Sequence, residues 1–343
     1  MTERYQKQIL FSGIGEEGQA ALTKSRVLIC GCGALGSVLA ETLTRSGVGF
    51  IRIVDRDFVE LSNLQRQVLF DENDVANRTP KAIAAENRLR EINSEIEIEG
   101  VVADVSFNNI AELASGVDLI LDGTDNFEVR FLINDFSLES GIPWIYTGCV
   151  GSHGQTMSIF PNETACLRCL IDNVPEPGSM ETCDTAGVLA TAINVIASLE
   201  ATDALKILSG NKAAVKPVLK VVDVWDGSMR NMNAGTLRET ANCPACVNGE
   251  RLWLEGRTGS QSSVLCGRNA VQISPAEPTK LSLPEMAQRL GNSGSVTQNA
   301  FLLRLQLNDP AYDITLFADG RAIIKGTEDI AVARSVYSRY IGS

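Results

Sequence analysis

A strand-like run, RVLIC (26–30), passes straight into GCGALG (31–36), and a helical pattern, LGSVLAETLTRSG, continues from it. Gly31, Gly33 and Gly36 therefore form G-x-G-x-x-G between a strand and a helix. The first two glycines let the chain turn and let backbone N–H groups approach a phosphate, while the helix N-terminus adds partial positive charge. The helix has to return the chain so that the next strand lies beside the first, which implies a parallel sheet. FIRIVD (50–55), IEIEGVVAD (96–104), VDLILD (117–122) and PWIYTG (143–148) supply strands. TPKAIAAENRLREIN supplies a second helix, with Thr79 and Pro80 as its cap and first position. QTMSIFP and VLKVVDVWDG read as later, antiparallel strands. The stretch between them, TAGVLATAINVIASLEATDALKILSG, reads as a long helix, apolar around most of its circumference and so expected to be buried.

A polar, Gly/Ser-rich stretch, EGRTGSQSS (255–263), reads as a linker. It divides the chain into residues 1–255 and a segment 264–343 with its own pattern. There AVQIS is a strand, LPEMAQRL a helix, FLLRLQL and YDITLF strands, ADGR a turn into AIIKG, and AVARSVYSRYI a closing helix. No cluster of chemistry-bearing residues stands in this segment, which is expected to be a docking module or a stabilising appendage.

Nine cysteines are present, and four of them fall into two pairs with a two-residue gap, CLRC (Cys166, Cys169) and CPAC (Cys243, Cys246). Each gap lets both sulfurs reach one ion, and the fold must join the two halves. Four thiolates make a closed, tetrahedral and therefore structural zinc site. The expected fold class is α/β: a Rossmann-like doubly wound mixed sheet with a four-cysteine zinc site, plus a small C-terminal α/β domain.

Asp55 ends the second strand, where an acid accepts hydrogen bonds from ribose hydroxyls. A nicotinamide reader would stop there. This chain continues with Asp57, Ser62, Asn63, Gln65 and Arg66, a polar run that suits the polyphosphate of ATP better, and Lys81 in the next helix adds a second cation. After a later strand, LILDGTDN (119–126) places Asp122 and Asp125 where an open parallel sheet presents groups to a ligand, so a carboxylate there can hold Mg²⁺. Asp125 and Asn126 equally suit capping of the helix FEVRFLIN. Cys183, just before the long helix, is either a thiol activated by a helix N-terminus or a small residue at a helix start. His153 is the one histidine, so a mechanism needing two imidazoles is excluded.

The net charge of −12 argues against a general nucleic-acid or membrane-surface binder. No apolar stretch reaches the roughly 18 residues that span a bilayer, and MTERYQKQIL has charges where a signal peptide has its apolar run. A cytoplasmic protein is expected.

Taken in order, RYQKQI, GCGALG, Asp55, SNLQRQ, Lys81, TDN, the two cysteine pairs and TCDTAGVL resemble the ThiF/MoeB/HesA family of ubiquitin-activating-enzyme-like adenylyltransferases, across residues 1–250. The resemblance implies MgATP-dependent adenylation of the C-terminal Gly-Gly carboxylate of a small β-grasp sulfur-carrier or ubiquitin-like protein, with release of pyrophosphate. It implies Gly33 beside the nucleotide, Asp55 on the ribose, Asn63, Arg66 and Lys81 on the phosphates, and Asp125 on Mg²⁺. It also implies a homodimer in which a cation near the N-terminus reaches the partner's triphosphate. Lys7 stands where many relatives carry arginine, and Arg4 is close by. In some relatives a cysteine at the position of Cys183 takes the activated carrier; in others it is dispensable. A downstream transferase or sulfurtransferase is a further implied partner.

The chemistry suits the composition. The attacking carboxylate is already ionised, so no general base is needed, and the task is to stabilise charge on phosphate. Two alternatives stay open in the sequence. An NAD-dependent oxidoreductase would use the glycine turn and Asp55 but leave the remaining polar residues and the cysteine pairs idle. A non-catalytic nucleotide-binding scaffold would not need Arg66, Lys81 and Asp125 together.

Overall fold

A computed structural model describes residues 2–172, 186–257, 262–265, 267–274, 280–307 and 311–341. They fall into two compact units, 1–258 and 259–343. The first contains α1 (Thr2–Ile9), α2 (Gly15–Leu22), β1 (Arg26–Cys30), α3 (Ala34–Ser46), β2 (Phe50–Val54), α4 (Glu72–Asn77), α5 (Lys81–Ile92), β3 (Glu97–Val101), α6 (Ile110–Leu113), β4 (Leu119–Asp122), α7 (Phe127–Ser140), β5 (Trp144–Val150), β6 (His153–Ile159), α8 (Leu167–Leu170), α9 (Ala190–Leu208), β7 (Val218–Asp223), β8 (Ser228–Asn233) and α10 (Leu237–Thr240).

These strands make one sheet in the order β3-β2-β1-β4-β5-β6-β7-β8. The pairings from β3 to β5 are parallel and the remaining three antiparallel. The chain builds outward from β1 to β3, then crosses to β4 on the other side of β1. The strand order thus reverses between β1 and β4, and the crevice at their carboxyl ends is where open α/β sheets bind ligands. One face of the sheet (Val27, Ile29, Leu119, Leu121) packs on α3 and α9 through Leu35, Leu39, Leu43, Ile193, Ile196 and Ala201. The other face (Leu28, Ile120, Trp144, Tyr146) packs on Phe131 and Ile133 of α7.

Three details differ from the sequence reading. β8 was not expected as a strand, because its exposed edge carries no apolar alternation and only pairing with β7 defines it. The long helix is not buried all round: Thr191, Asn194, Ser198 and Thr202 form an exposed stripe at helical spacing with Val195. Pro80 is the cap of α5, with ψ 138°, and not its first position. Residue 80 is held extended by bridging to Phe58, so the helix starts at Lys81, whose N–H finds the Asp57 carbonyl at 2.9 Å.

Asp135, buried on α7, accepts a hydrogen bond from the Trp253 N–H at 3.0 Å, while its Oδ1 has no partner of good geometry among the described residues. Burial pushes its carboxyl up to about 6, against the pull of the Trp253 and Leu254 N–H groups and of Arg251 and Arg168. The folded carboxyl titrates above its ordinary 3.8. Between those values the folded protein keeps a proton that the unfolded chain has released, so this group's contribution to stability is lost as pH rises from about 4 to 6. Asp135→Asn is expected to flatten that part of the stability profile and raise the melting temperature at pH 7.5 by a few degrees, for about 1–3 kcal/mol. Melting curves of both proteins from pH 4 to 8 check this; parallel curves would refute it.

The second unit contains β9 (Ser262–Leu265), β10 (Ala270–Ile273), α11 (Leu283–Leu290), β11 (Ser295–Gln298), β12 (Leu302–Gln306), β13 (Asp313–Phe317), β14 (Ala322–Lys325) and α12 (Ile330–Tyr340). Its sheet, β11-β12-β13-β14-β10-β9, is antiparallel throughout. Val271, Leu303, Leu305, Ile314, Leu316 and Ile324 face Leu283, Met286 and Leu290 of α11. The two edge strands, β9 and β11, were not expected. Both are rich in Ser, Thr and Gln, and part of β9 lies in the stretch that reads as a linker. No described helix of either unit is long and apolar enough to cross a membrane.

Candidate functional site

The turn after β1 is built from glycine for two distinct reasons. At Gly31, with φ 88°, a Cβ would come within 2.6 Å of the Gly123 carbonyl oxygen. A Cβ at Gly36 would run into the Gly31 carbonyl oxygen, and one at Gly123 would press on Gly31 and on the Gly36 Cα. These three pack backbone to backbone and lock the end of β1 to the end of β4. Gly123 is a fourth glycine that the pattern alone did not reveal. Gly33 is different: the nearest protein atoms to its Cβ position, Gln67 Nε2 and Gly123 O, are 3.9 Å away. Its φ of −80° is open to any residue. The space beside Gly33 is filled by no described protein atom, which fits a bound nucleotide.

Asp55 sits just past β2. Its Oδ2 accepts from the Cys32 N–H at 2.6 Å and its Oδ1 from the Asp57 N–H at 2.7 Å, so it also fixes the glycine turn. Burial pushes its carboxyl up, the Lys81 charge pulls it down and Asp57 pushes it up again. Lys81 is buried, with Nζ 3.2 Å from Asp57 Oδ2. Asn63 is buried in a short helical turn, Leu61–Asn63, and its Oδ1 accepts from the Glu60 N–H at 3.0 Å. Arg66 follows, half-buried, donating from Nη1 to the Ser62 carbonyl at 2.9 Å. Asp55, Asp57 and Lys81 therefore meet beyond the carboxyl end of β2, and Asn63 and Arg66 lie on the turn that carries Gln67, whose Nε2 is near Gly33.

On the β4 side the two aspartates part company. Asp122 is fully buried and committed. Its Oδ2 meets Arg130 Nε at 2.8 Å, and its Oδ1 accepts from the Thr124 N–H at 3.0 Å and hydroxyl at 2.7 Å. Arg130 in turn donates to the carbonyls of Thr124 (2.6 Å) and Thr147 (2.9 Å). Burial works against the Arg130 charge, but Asp122 beside it raises its pKa overall. Asp122 is thus a scaffold residue and not a ligand-facing group. Asn126 is the cap of α7, accepting from the Glu128 N–H at 2.8 Å. Asp125 is left exposed at the loop's tip. Arg130 was missed in the sequence; its signal was a lone cation inside an otherwise apolar helix.

The outlying candidates fare differently. Lys7 is exposed on α1. Arg4 is engaged within its own chain, with Ile92 O at 3.1 Å and Glu95 at 3.8 Å. His153 lies on the surface, its Nε2 3.0 Å from Asp223 Oδ2. Cys183 lies outside the described residues.

Cys166, Cys169, Cys243 and Cys246 converge, all four sulfurs lying within 4.8 Å of one another. The separations are 3.9 Å for Cys166–Cys169, 3.6 Å for Cys166–Cys243 and 3.5 Å for Cys169–Cys246. A tetrahedron with metal–sulfur bonds of about 2.3 Å has edges of about 3.8 Å, so the donor set fits zinc. Hydrogen bonding within the cluster pushes the Cys166 and Cys169 thiols up and draws those of Cys243 and Cys246 down, Cys246 to about 7, so the four sulfurs share their protons as one group. Asn134 of α7 anchors the first half by accepting from the Leu167 N–H at 2.8 Å.

Residues 5–245 match the ThiF family. The chain belongs to the ThiF family. It is 44% identical over 343 residues, the whole of both chains, to the sulfur carrier protein ThiS adenylyltransferase of Bacillus subtilis. It is 36% identical over 247 residues, 72% of this chain and 89% of the relative, to the SAMP-activating enzyme E1 of Haloferax volcanii. The fold matches the crystal structure of E. coli MccB with ATP at a TM-score of 0.61 and 24% identity, over 72% of this chain and 75% of that one. As an adenylyltransferase of the ThiF family the protein uses ATP, and the oxidoreductase alternative falls. The family match stops at residue 245, whereas the Bacillus subtilis relative aligns through the second unit as well.

Proposed function

We propose that this ThiF-family enzyme adenylates the C-terminal Gly-Gly carboxylate of a small sulfur-carrier or ubiquitin-like protein. A carboxylate oxygen attacks the α-phosphorus of ATP, the bond to the β-phosphate oxygen breaks, and an acyl adenylate and pyrophosphate leave. The observation that carries this reading is the crevice between the ends of β1 and β4, with unfilled space at Gly33, Lys81 and Arg66 on one side and exposed Asp125 on the other. Asp55 would accept from the ribose, Asp57 would hold Lys81 in place, and Asn63, Arg66 and Lys81 would bear on the phosphates. Asp125 would hold Mg²⁺, which supplies charge stabilisation to the phosphates when bound. The four-cysteine cluster would hold structural zinc. The test is ATP–pyrophosphate exchange with a Gly-Gly-ended carrier: exchange is expected only with the carrier present. Carrier-independent exchange, or none with any such carrier, would overturn the reading.

The nucleotide placement makes a paired prediction. Gly33→Ala is expected to leave the melting temperature within about 2 °C and weaken ATP binding about tenfold or more, because the new methyl enters the ligand's space. Gly36→Ala is expected to cost about 1–3 kcal/mol or more of stability, because it meets rigid backbone. Thermal melts with and without ATP separate the two.

The same reading makes the protein a cytoplasmic homodimer in which Lys7 reaches the partner's triphosphate, checked by sizing in solution and by Lys7→Ala. It takes residues 1–255 as the adenylation domain and 264–343 as an accessory module that docks the carrier or a downstream transferase or sulfurtransferase.

A further inference from the structure

Glu200 on α9 is a buried acid that the adenylation chemistry does not use. It is wholly inaccessible, and neither carboxyl oxygen has a hydrogen-bond partner of good geometry. Its surroundings are the carboxyl ends of β4 and β5: the Asp122 charge and N–H, the Thr147 hydroxyl and, from α7, the Arg130 guanidinium. The Thr147 hydroxyl lies 2.8 Å from Thr156 Oγ1 on β6. The helix α3 offers apolar side chains, and its Glu41 and Arg45 pair with each other. Lys220 of β7 and Lys206 of α9 are both taken by Asp203, one turn along α9. Burial, and then Asp122, push the Glu200 carboxyl well above the carboxylate range, while Thr147 and the Asp122 N–H pull the other way. Among the described residues, the cation beside Glu200, Arg130, is already engaged by Asp122 and two carbonyls.

We propose that Glu200 is a positioning residue: wholly buried against the ends of β4 and β5, it keeps the Asp122–Arg130 pair on Thr124 and so fixes the loop that presents Asp125. Its kinetic consequence rests on the adenylation reading; its resting state does not. Ionisation sets a second carboxylate against Asp122 and draws Arg130 off the Thr124 and Thr147 carbonyls.

The experiment compares wild type, Glu200→Gln and Glu200→Leu from pH 5.5 to 9, by carrier-dependent pyrophosphate exchange and by melting temperature. Gln keeps a neutral donor and is expected to hold the wild-type rate at pH 7 within about twofold while losing the wild type's alkaline decline. Leu has no donor and is expected to lower the rate about tenfold with little change in the KM for ATP. A Gln variant that declines with pH as wild type does, or a Leu variant with the wild-type rate, overturns the positioning role. The melting arm needs no activity. The folded acid titrates above its ordinary 4.5, so the wild type should lose stability relative to Gln as pH rises above that value. Equal slopes refute the neutral acid. A wild type with no exchange at any pH defeats the adenylation reading, and with it the kinetic role, while the melting slopes still decide the state of Glu200.

Discussion

Asp125→Ala is expected to reduce carrier-dependent pyrophosphate exchange by about 10²–10⁴-fold, with the fold left intact. The loss is the size seen when one preorganised charge-stabilising group is removed from a transition state that concentrates charge on phosphate. Stability should stay within about 0.5 kcal/mol, because Asp125 is exposed and Asn126, not Asp125, caps α7. That combination separates this position from its neighbour. Asp122→Ala would strand Arg130 in the core, and breaking such a buried pair costs about 3–5 kcal/mol, so its activity would fall together with the fold. Exchange rates and melting temperatures measured on the same Asp125→Ala preparation decide the matter. Near-wild-type exchange would remove Asp125 from the site.

Cys243→Ala is expected to release the metal and lower the melting temperature steeply. Structural zinc contributes about 10–16 kcal/mol in zinc-finger peptides. Even a third of the lower figure, about 3 kcal/mol, would shift the midpoint by about 6–12 °C in a domain of this size. The cluster's reach explains why the loss should propagate. It ties the segment after β6 to residues 243–246, and both Cys166 and Cys243 lie buried in the core that α7 shares with the sheet. One zinc per chain in the wild type and none in the variant, by elemental analysis, is the matching observation. A metal-free protein that melts with the wild type would show the four thiols to be a bystander.

Much of the candidate site was legible because its residues are short-range. Gly31, Gly33 and Gly36 lie within one turn, and Asn63 and Arg66 within the next, so the chain's local geometry already groups them. The cysteine pairs were legible because a two-residue gap fits one ion. Gly123 and Glu200 were not, because each matters only through a contact across the sheet. Gly123 reads as part of a loop until the Gly31 carbonyl is seen to occupy the place of any side chain there. Glu200 reads as one polar residue in an apolar helix until its complete burial beside Asp122 and Thr147 is seen. Spacing alone did not separate Asp122 from Asp125, and only the resemblance singled out Asp125 for Mg²⁺. Arg130, arriving from α7, shows Asp122 to be committed to the scaffold.

Strands β1 to β5, the glycine turn and the two cysteine pairs follow from the sequence alone, because each rests on periodicity or spacing along the chain, and the ordered motifs carry the resemblance to the family. The tertiary structure decided which groups are spent on the scaffold and which stay exposed at the ends of the strands. Burial and pairing are properties of contacts between segments distant in the chain, and no local pattern records them.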